Sequence, residues 1–153
     1  VNFPSPYKVE GGGNSQLPES MGDFLLTPEV ARAAHRILSR SQKPGYLYLQ
    51  SNCADVAMFM RDLCQKEGFQ VAESFEGRKF GLEDWLPAND SAVPETERDK
   101  RVAAKMRSTR WTQPSGFGWL AQSPLPLHGR TETEVHQALV TKRPVYRTLL
   151  QPA

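Results

Sequence analysis

Between residues 25 and 74, helix-periodic segments alternate with short apolar runs, and this alternation constrains the fold more than any other feature of the chain. Thr27-Pro28-Glu29 opens the first helix: Thr27 suits the cap, Pro28 the first helical position, and Glu29 complements the helix dipole. Val30, Ala33, Ala34, Ile37 and Leu38 follow at helical spacing, interleaved with Arg32, Arg36 and Arg40. The helix is expected to stop near Gln42, before Lys43-Pro44-Gly45. Tyr46-Leu47-Tyr48-Leu49-Gln50 then reads as a buried strand. Ser51-Asn52 hands over to a second helix with a one-sided stripe of Val56, Phe59, Met60, Leu63 and Cys64, and Gly68 supplies its stop. Phe69 to Ser74 reads as the next strand. Strands separated by helices in this way predict an α/β protein with a parallel sheet.

The flanking regions are less regular. Residues 8–23 are rich in Gly, Ser, Asn and Pro and read as a flexible loop around Gly11-Gly12-Gly13. Residues 75–129 break the alternation and read as an insertion, with a polar helix over Pro94 to Arg110. Thr131 to Leu139 reads as a helix and Pro144 to Leu150 as a closing strand. The 153 residues suit one domain, and a formal net charge of +2 permits a polyanionic partner without requiring one. No apolar run approaches the roughly 18 residues of a membrane span, and no secretory signal is visible. These features predict a soluble intracellular protein, nuclear or cytoplasmic. Cys53 and Cys64 lie about 16 Å apart along the second predicted helix, too far for a disulfide, and have no His partners at zinc spacing. Both read as core residues, and no metal is expected.

Three segments carry chemistry. Asn2-Phe3-Pro4-Ser5-Pro6-Tyr7 is a turn stiffened by two prolines, placed where open α/β sheets put their ligands if a strand precedes it. Gly45 to Ala57 holds the strand–helix junction around Ser51-Asn52-Cys53-Ala54-Asp55. Gly129-Arg130-Thr131-Glu132-Thr133-Glu134 precedes Arg143-Pro144-Val145-Tyr146-Arg147. In this order they resemble the carboxyl half of the tRNA (guanine-N7)-methyltransferase family, with its FPDPW-type turn, its TD-x-x-x-Y-type turn, and a T-x-x-E element before a strand of PVYR type. The resemblance spans the chain outside most of residues 75–128.

The resemblance implies a Rossmann-like class I S-adenosylmethionine methyltransferase fold, here its carboxyl half with an insertion. It implies methyl transfer from S-adenosylmethionine to N7 of a tRNA guanine, with tRNA and a possible protein subunit as partners. Phe3, Pro4, Ser5 and Pro6 would shape the methyl-transfer pocket, Ser5 standing where the family has an acidic residue and Tyr7 where it has Trp. Asn52 stands at the Asp of the TD pair and Val56 at its Tyr; Asn52, with Asp55 beside it, would hold the guanine edge. Thr131 and Glu134 match the T-x-x-E pair at the cofactor and guanine pocket, and the same spacing fits a helix capping box.

Quaternising N7 requires no proton to leave the base, so alignment matters more than a general base. An Asn at position 52 offers one acceptor and two donors to the guanine edge, where a carboxylate would accept twice. Lys8, Arg98, Lys100, Arg101, Lys105 and Arg107, with Arg110, are candidates for tRNA phosphate contacts, or else form a solvated face interleaved with Glu95, Glu97 and Asp99. Trp111, Phe117 and Trp119 could stack on bases or pack the insertion onto the sheet; Lys142 and Arg147 are weaker RNA contacts. The three histidines form no ligand pattern.

S-adenosylmethionine in this fold rests on a Gly-rich turn after one strand and an acidic residue ending the next. Neither is visible, and Gly11-Gly12-Gly13 opens no helix. The chain is therefore expected to be part of a longer protein and to bind the cofactor poorly alone. Two other readings stay open. One is a catalytically degenerate paralogue that binds RNA or protein. The other is an amino-group methyltransferase whose Pro-aromatic turn holds an exocyclic NH₂.

Overall fold

The computed structural model describes residues 24–43, 45–88, 114–141 and 144–153. Helix α1 (Pro28–Ser39) starts where the sequence places it: Thr27 is its cap, and its hydroxyl accepts from the Val30 N–H at 3.4 Å. Strand β1 (Leu47–Ser51) follows. Ser51 then turns the chain, its Oγ accepting from the Cys53 N–H at 3.1 Å, and helix α2 (Ala54–Lys66) begins. The predicted stripe faces inward: Val56, Met60 and Cys64 are buried, with Phe59 and Leu63 packed against them. Gly68, at φ +94°, reverses the chain into β2 (Phe69–Val71).

The last strand, β7 (Tyr146–Pro152), lies between β1 and β2 in a three-stranded sheet and is antiparallel to both. β1 and β2 therefore point the same way, as a strand–helix–strand crossover requires, but they do not pair with each other. The parallel ladder expected from the alternation is thus replaced by two antiparallel ones. The pattern sets the direction of β1 and β2; it says nothing of a distant segment entering between them. Each ladder is fixed by its register, Leu47 opposite Leu150 and Phe69 opposite Pro152.

Both helices cover one face. Leu47, Leu49, Phe69 and Leu150 pack there with Ala31 of α1 and the α2 stripe. Full burial of a side chain such as Leu49, Met60 or Leu150 contributes roughly 1.5–3 kcal/mol. The other face is covered by part of the region read as an insertion. β3 (Ser74–Phe75) pairs with β4 (Arg78–Lys79), and β5 (Trp85–Leu86) pairs with β6 (Gly116–Leu120). Leu120 and Ala72 pack there on Leu149, ringed by Tyr46, Tyr48, Phe75, Phe80 and Trp85. These described parts of residues 75–129 are a structural layer of the sheet, not a separate appendage. Periodicity missed them because strands of two residues carry no period.

Helix α3 (Glu132–His136) continues as a π-type turn over Gln137–Thr141 before the chain enters β7. Both cysteines are buried in the core and neither is in a disulfide, Cys64 on the inward face of α2. Among the described residues no helix is long and apolar enough to cross a membrane, and no group of three or more His, Cys, Asp or Glu could hold a metal ion.

Candidate functional site

The sheet has one end at which β1 finishes and β7 starts. Ser51 stands opposite Tyr146 there, and Gln50 opposite Arg147. A cleft of about 670 Å³ opens beside this end. It is lined by Leu86 at the end of β5 with Pro87 and Ala88 after it, by Pro114 and Ser115 before β6, and by Glu134, Ala138 and the Pro144–Arg147 segment. The walls are largely apolar, with Tyr146 as an aromatic surface. The clearest concentration of charge among the described lining residues is the Glu134–Arg147 pair.

Glu134 reaches the cleft through the start of α3. Thr131 Oγ1 accepts the Glu134 N–H at 3.2 Å, the forward half of a capping box. The reciprocal half is not made. Instead the carboxylate turns inward, where Oε1 accepts from Arg147 Nε at 2.9 Å and Oε2 has no partner. Glu134 is only 3% exposed, so an oxygen left in this state costs about 1–3 kcal/mol. A carboxylate serving only as a cap would bond the backbone or solvent. This one is held by an arginine, and it belongs to a residue that lines the cleft, although its second oxygen is itself buried. Arg147 is itself anchored, its guanidinium also donating to the Val145 carbonyl at 3.2 Å.

Thr131 is tied back to the sheet. Gln50 Nε2 donates to Thr131 Oγ1 at 2.7 Å, and the Tyr48 hydroxyl donates to Gln50 Oε1 at 3.1 Å. The same hydroxyl lies 3.4 Å from Ser123 Oγ. Burial pushes the Tyr48 phenol up to about 12, with the negative charge of Glu134 adding to the shift, so it stays protonated as a donor.

Of the predicted site residues, the structure brings Thr131 and Glu134 together with the end of β1. Asn52 sits just past that end and is half-buried; its Oδ1 accepts from the Cys53 thiol at 3.3 Å. Asp55 is buried in the first turn of α2, where Oδ1 accepts from the Val56 N–H at 2.9 Å. Neither Asn52 nor Asp55 is among the described residues that line the cleft. Phe3, Pro4, Ser5, Pro6, Lys8, Arg98, Lys100, Arg101, Lys105, Arg107 and Arg110 lie outside the described residues, as do Trp111 and Lys142. Trp119 is buried against Ala57 and Met58, under the Arg61 guanidinium, and packs as a core residue. Phe117 is exposed and leans on Trp85.

Tyr48, Gln50 and Ser123 were not among the sequence candidates, and Arg147 was read only as a weak RNA contact. Gln50 carried a signal: it is an amide at the end of a run otherwise fit for burial. Arg147 carried none, because its partner depends on where β7 enters the sheet.

S-adenosylmethionine needs a Gly-rich strand-to-helix turn and an acidic strand end. The described strand-to-helix connection after β1 is Asn52-Cys53, without glycine. Among the described residues the donor set therefore does not fit the adenosyl group. A smaller hollow beside α1 is occupied by its own charges, Arg32 bridging Glu29 at 2.7 Å and Glu67 at 3.1 Å. No protein-family model, curated protein or solved structure matches the chain.

Proposed function

We propose that this chain is the carboxyl part of a Rossmann-like class I methyltransferase of the tRNA guanine-N7 type, and that the cleft beside Glu134 receives the methyl-accepting guanine. The observation that carries the reading is the buried Glu134 carboxylate that lines the cleft near the carboxyl end of β1: Arg147 holds one oxygen, and the other has no hydrogen-bond partner among the described residues. In α/β sheets that end is where ligands bind. Guanine presents N1–H and N2–H₂ on one edge, and a fixed carboxylate oxygen accepts from that edge while N7 points away from it. The largely apolar lining and the Tyr146 ring suit an aromatic base. Because Arg147 balances the charge of Glu134, a neutral N–H edge can bind without an added cation. No general base is needed, since N7 attacks through a lone pair already free. The task left to these residues is orientation. S-adenosylmethionine, if bound, would supply the methyl group, and no described residue is assigned to hold it.

The test is methyl transfer from labelled S-adenosylmethionine to tRNA, followed by nucleoside analysis. The reading expects 7-methylguanosine, and loss of it in Glu134→Ala. A methylated exocyclic amine would favour the amino-group alternative. tRNA binding with no transfer at saturating cofactor would favour the degenerate, binding-only reading, which the local engagement of Asn52 with Cys53 also supports.

A further inference from the structure

Strand β1 is buried on both sides, yet it carries an amide that is 2% exposed. Burying an amide without partners carries a desolvation cost that an apolar residue would avoid. Gln50 has partners at both ends. Thr131 Oγ1 already accepts the Glu134 N–H and takes an N–H from Gln50 as well. The Tyr48 hydroxyl gives its proton to Oε1. On its far side Tyr48 meets Ser123, whose Oγ accepts the Leu125 N–H at 3.3 Å. A chain of hydrogen bonds thus runs from the 123–125 loop through Tyr48 and Gln50 to Thr131. Thr131 in turn fixes the first turn of α3 and the carboxylate that turn presents. Arg147, opposite Gln50 in the β1–β7 ladder, holds the same carboxylate from the sheet.

We infer that Gln50 is a positioning residue for the acceptor cleft: it holds the Thr131 cap, and through it the Glu134 carboxylate against Arg147 at the wall of the cleft. The inference rests on the reading of the cleft as the base site, but it concerns how the chain aims its own carboxylate. A Glu at position 50 is nearly isosteric. It keeps an acceptor for Tyr48, removes the donor to Thr131, and adds a like charge near Glu134.

The experiment uses the full 153-residue chain, labelled with ¹⁵N. The Arg147 Nε–H resonance reports the ion pair, and guanosine added as probe reports the cleft. Gln50→Glu is expected to shift that resonance, to speed its solvent exchange about tenfold, and to weaken guanosine binding about tenfold, equivalent to ~1.4 kcal/mol. Tyr48→Phe, a milder change that keeps the ring, is expected to move the same signals in the same direction by about threefold. If both variants merely melt earlier, with the Arg147 signal and guanosine affinity as in the parent, Gln50 is structural and the inference is overturned. If guanosine leaves the parent spectrum unchanged while Gln50→Glu still frees the Arg147 Nε–H, the positioning role stands and the base-binding reading fails.

Discussion

Glu134 and Arg147 show how one residue pair sets what the site can do. The carboxylate is 3% exposed, and the arginine side chain 15% exposed. Removing one member of a buried pair strands the other charge, which typically costs 3–5 kcal/mol. Arg147→Met should therefore lower unfolding free energy in urea by about 3–5 kcal/mol. The double variant with Glu134→Gln should recover most of that loss, because the uncompensated charge is gone. Equal losses in single and double variants would show that the two side chains do not act as a pair. The spacing of Thr131 and Glu134 was legible in the sequence, both as a motif and as a cap. The choice between those roles was not, because it depends on a guanidinium that the sheet brings from thirteen residues further on, as the Glu134–Arg147 bond records.

Tyr48 makes the same site sensitive to alkali. Its phenol ionises near 10 in the unfolded chain and is pushed up to about 12 by burial in the folded one. Below 10 both states hold the proton and the contribution to stability is complete. Between 10 and about 12 only the folded state holds it, so stability falls as pH rises through that window. Cys64 acts likewise from its ordinary value of 9 to about 11, again through burial of the thiol. Unfolding measured against pH should show a decline over this range, and Tyr48→Phe should flatten its upper part. An unchanged slope in that variant would place the titration elsewhere.

At the scale of elements, the two long helices were the most legible parts of the chain. The α2 stripe faces the core as expected, whereas in α1 the expected stripe is only partly inward: Val30 and Ile37 are exposed, and Ala31 is the buried residue. Thr27-Pro28 and Gly68 mark a start and a stop that side-chain and backbone chemistry demand. Gly68 has a further reason to be glycine. Its φ is +94°, and a Cβ there would lie 3.0 Å from His35 Nε2, which contacts the Gly68 carbonyl at 3.1 Å. Gly68→Ala should cost about 1–2 kcal/mol from the backbone conformation alone, read as a shift in the urea midpoint with unchanged slope. A neutral substitution would mean that this turn relaxes freely. The β3–β4 hairpin was missed, although Glu76-Gly77 sits at its tip with both residues at positive φ. A two-residue strand is defined by its turn and its partner, and a search for periodicity finds neither.

The described residues form a sheet with helices on one face and short strands on the other, and the cleft is lined from β5, the approach to β6, α3 and the start of β7. The direction of β1 and β2 followed from the sequence. The entry of β7 between them did not, and it is this entry that carries Tyr146 and Arg147 to the cleft. The account depends on that cleft accepting guanine through Glu134. Guanosine titrated into the labelled chain, with adenosine as comparison, tests this directly. The account predicts saturable shifts at Tyr146, Glu134 and Arg147 Nε with guanosine, weak or absent ones with adenosine, and none in Glu134→Ala. Equal responses to both nucleosides, or a guanosine response that survives Glu134→Ala, would contradict it.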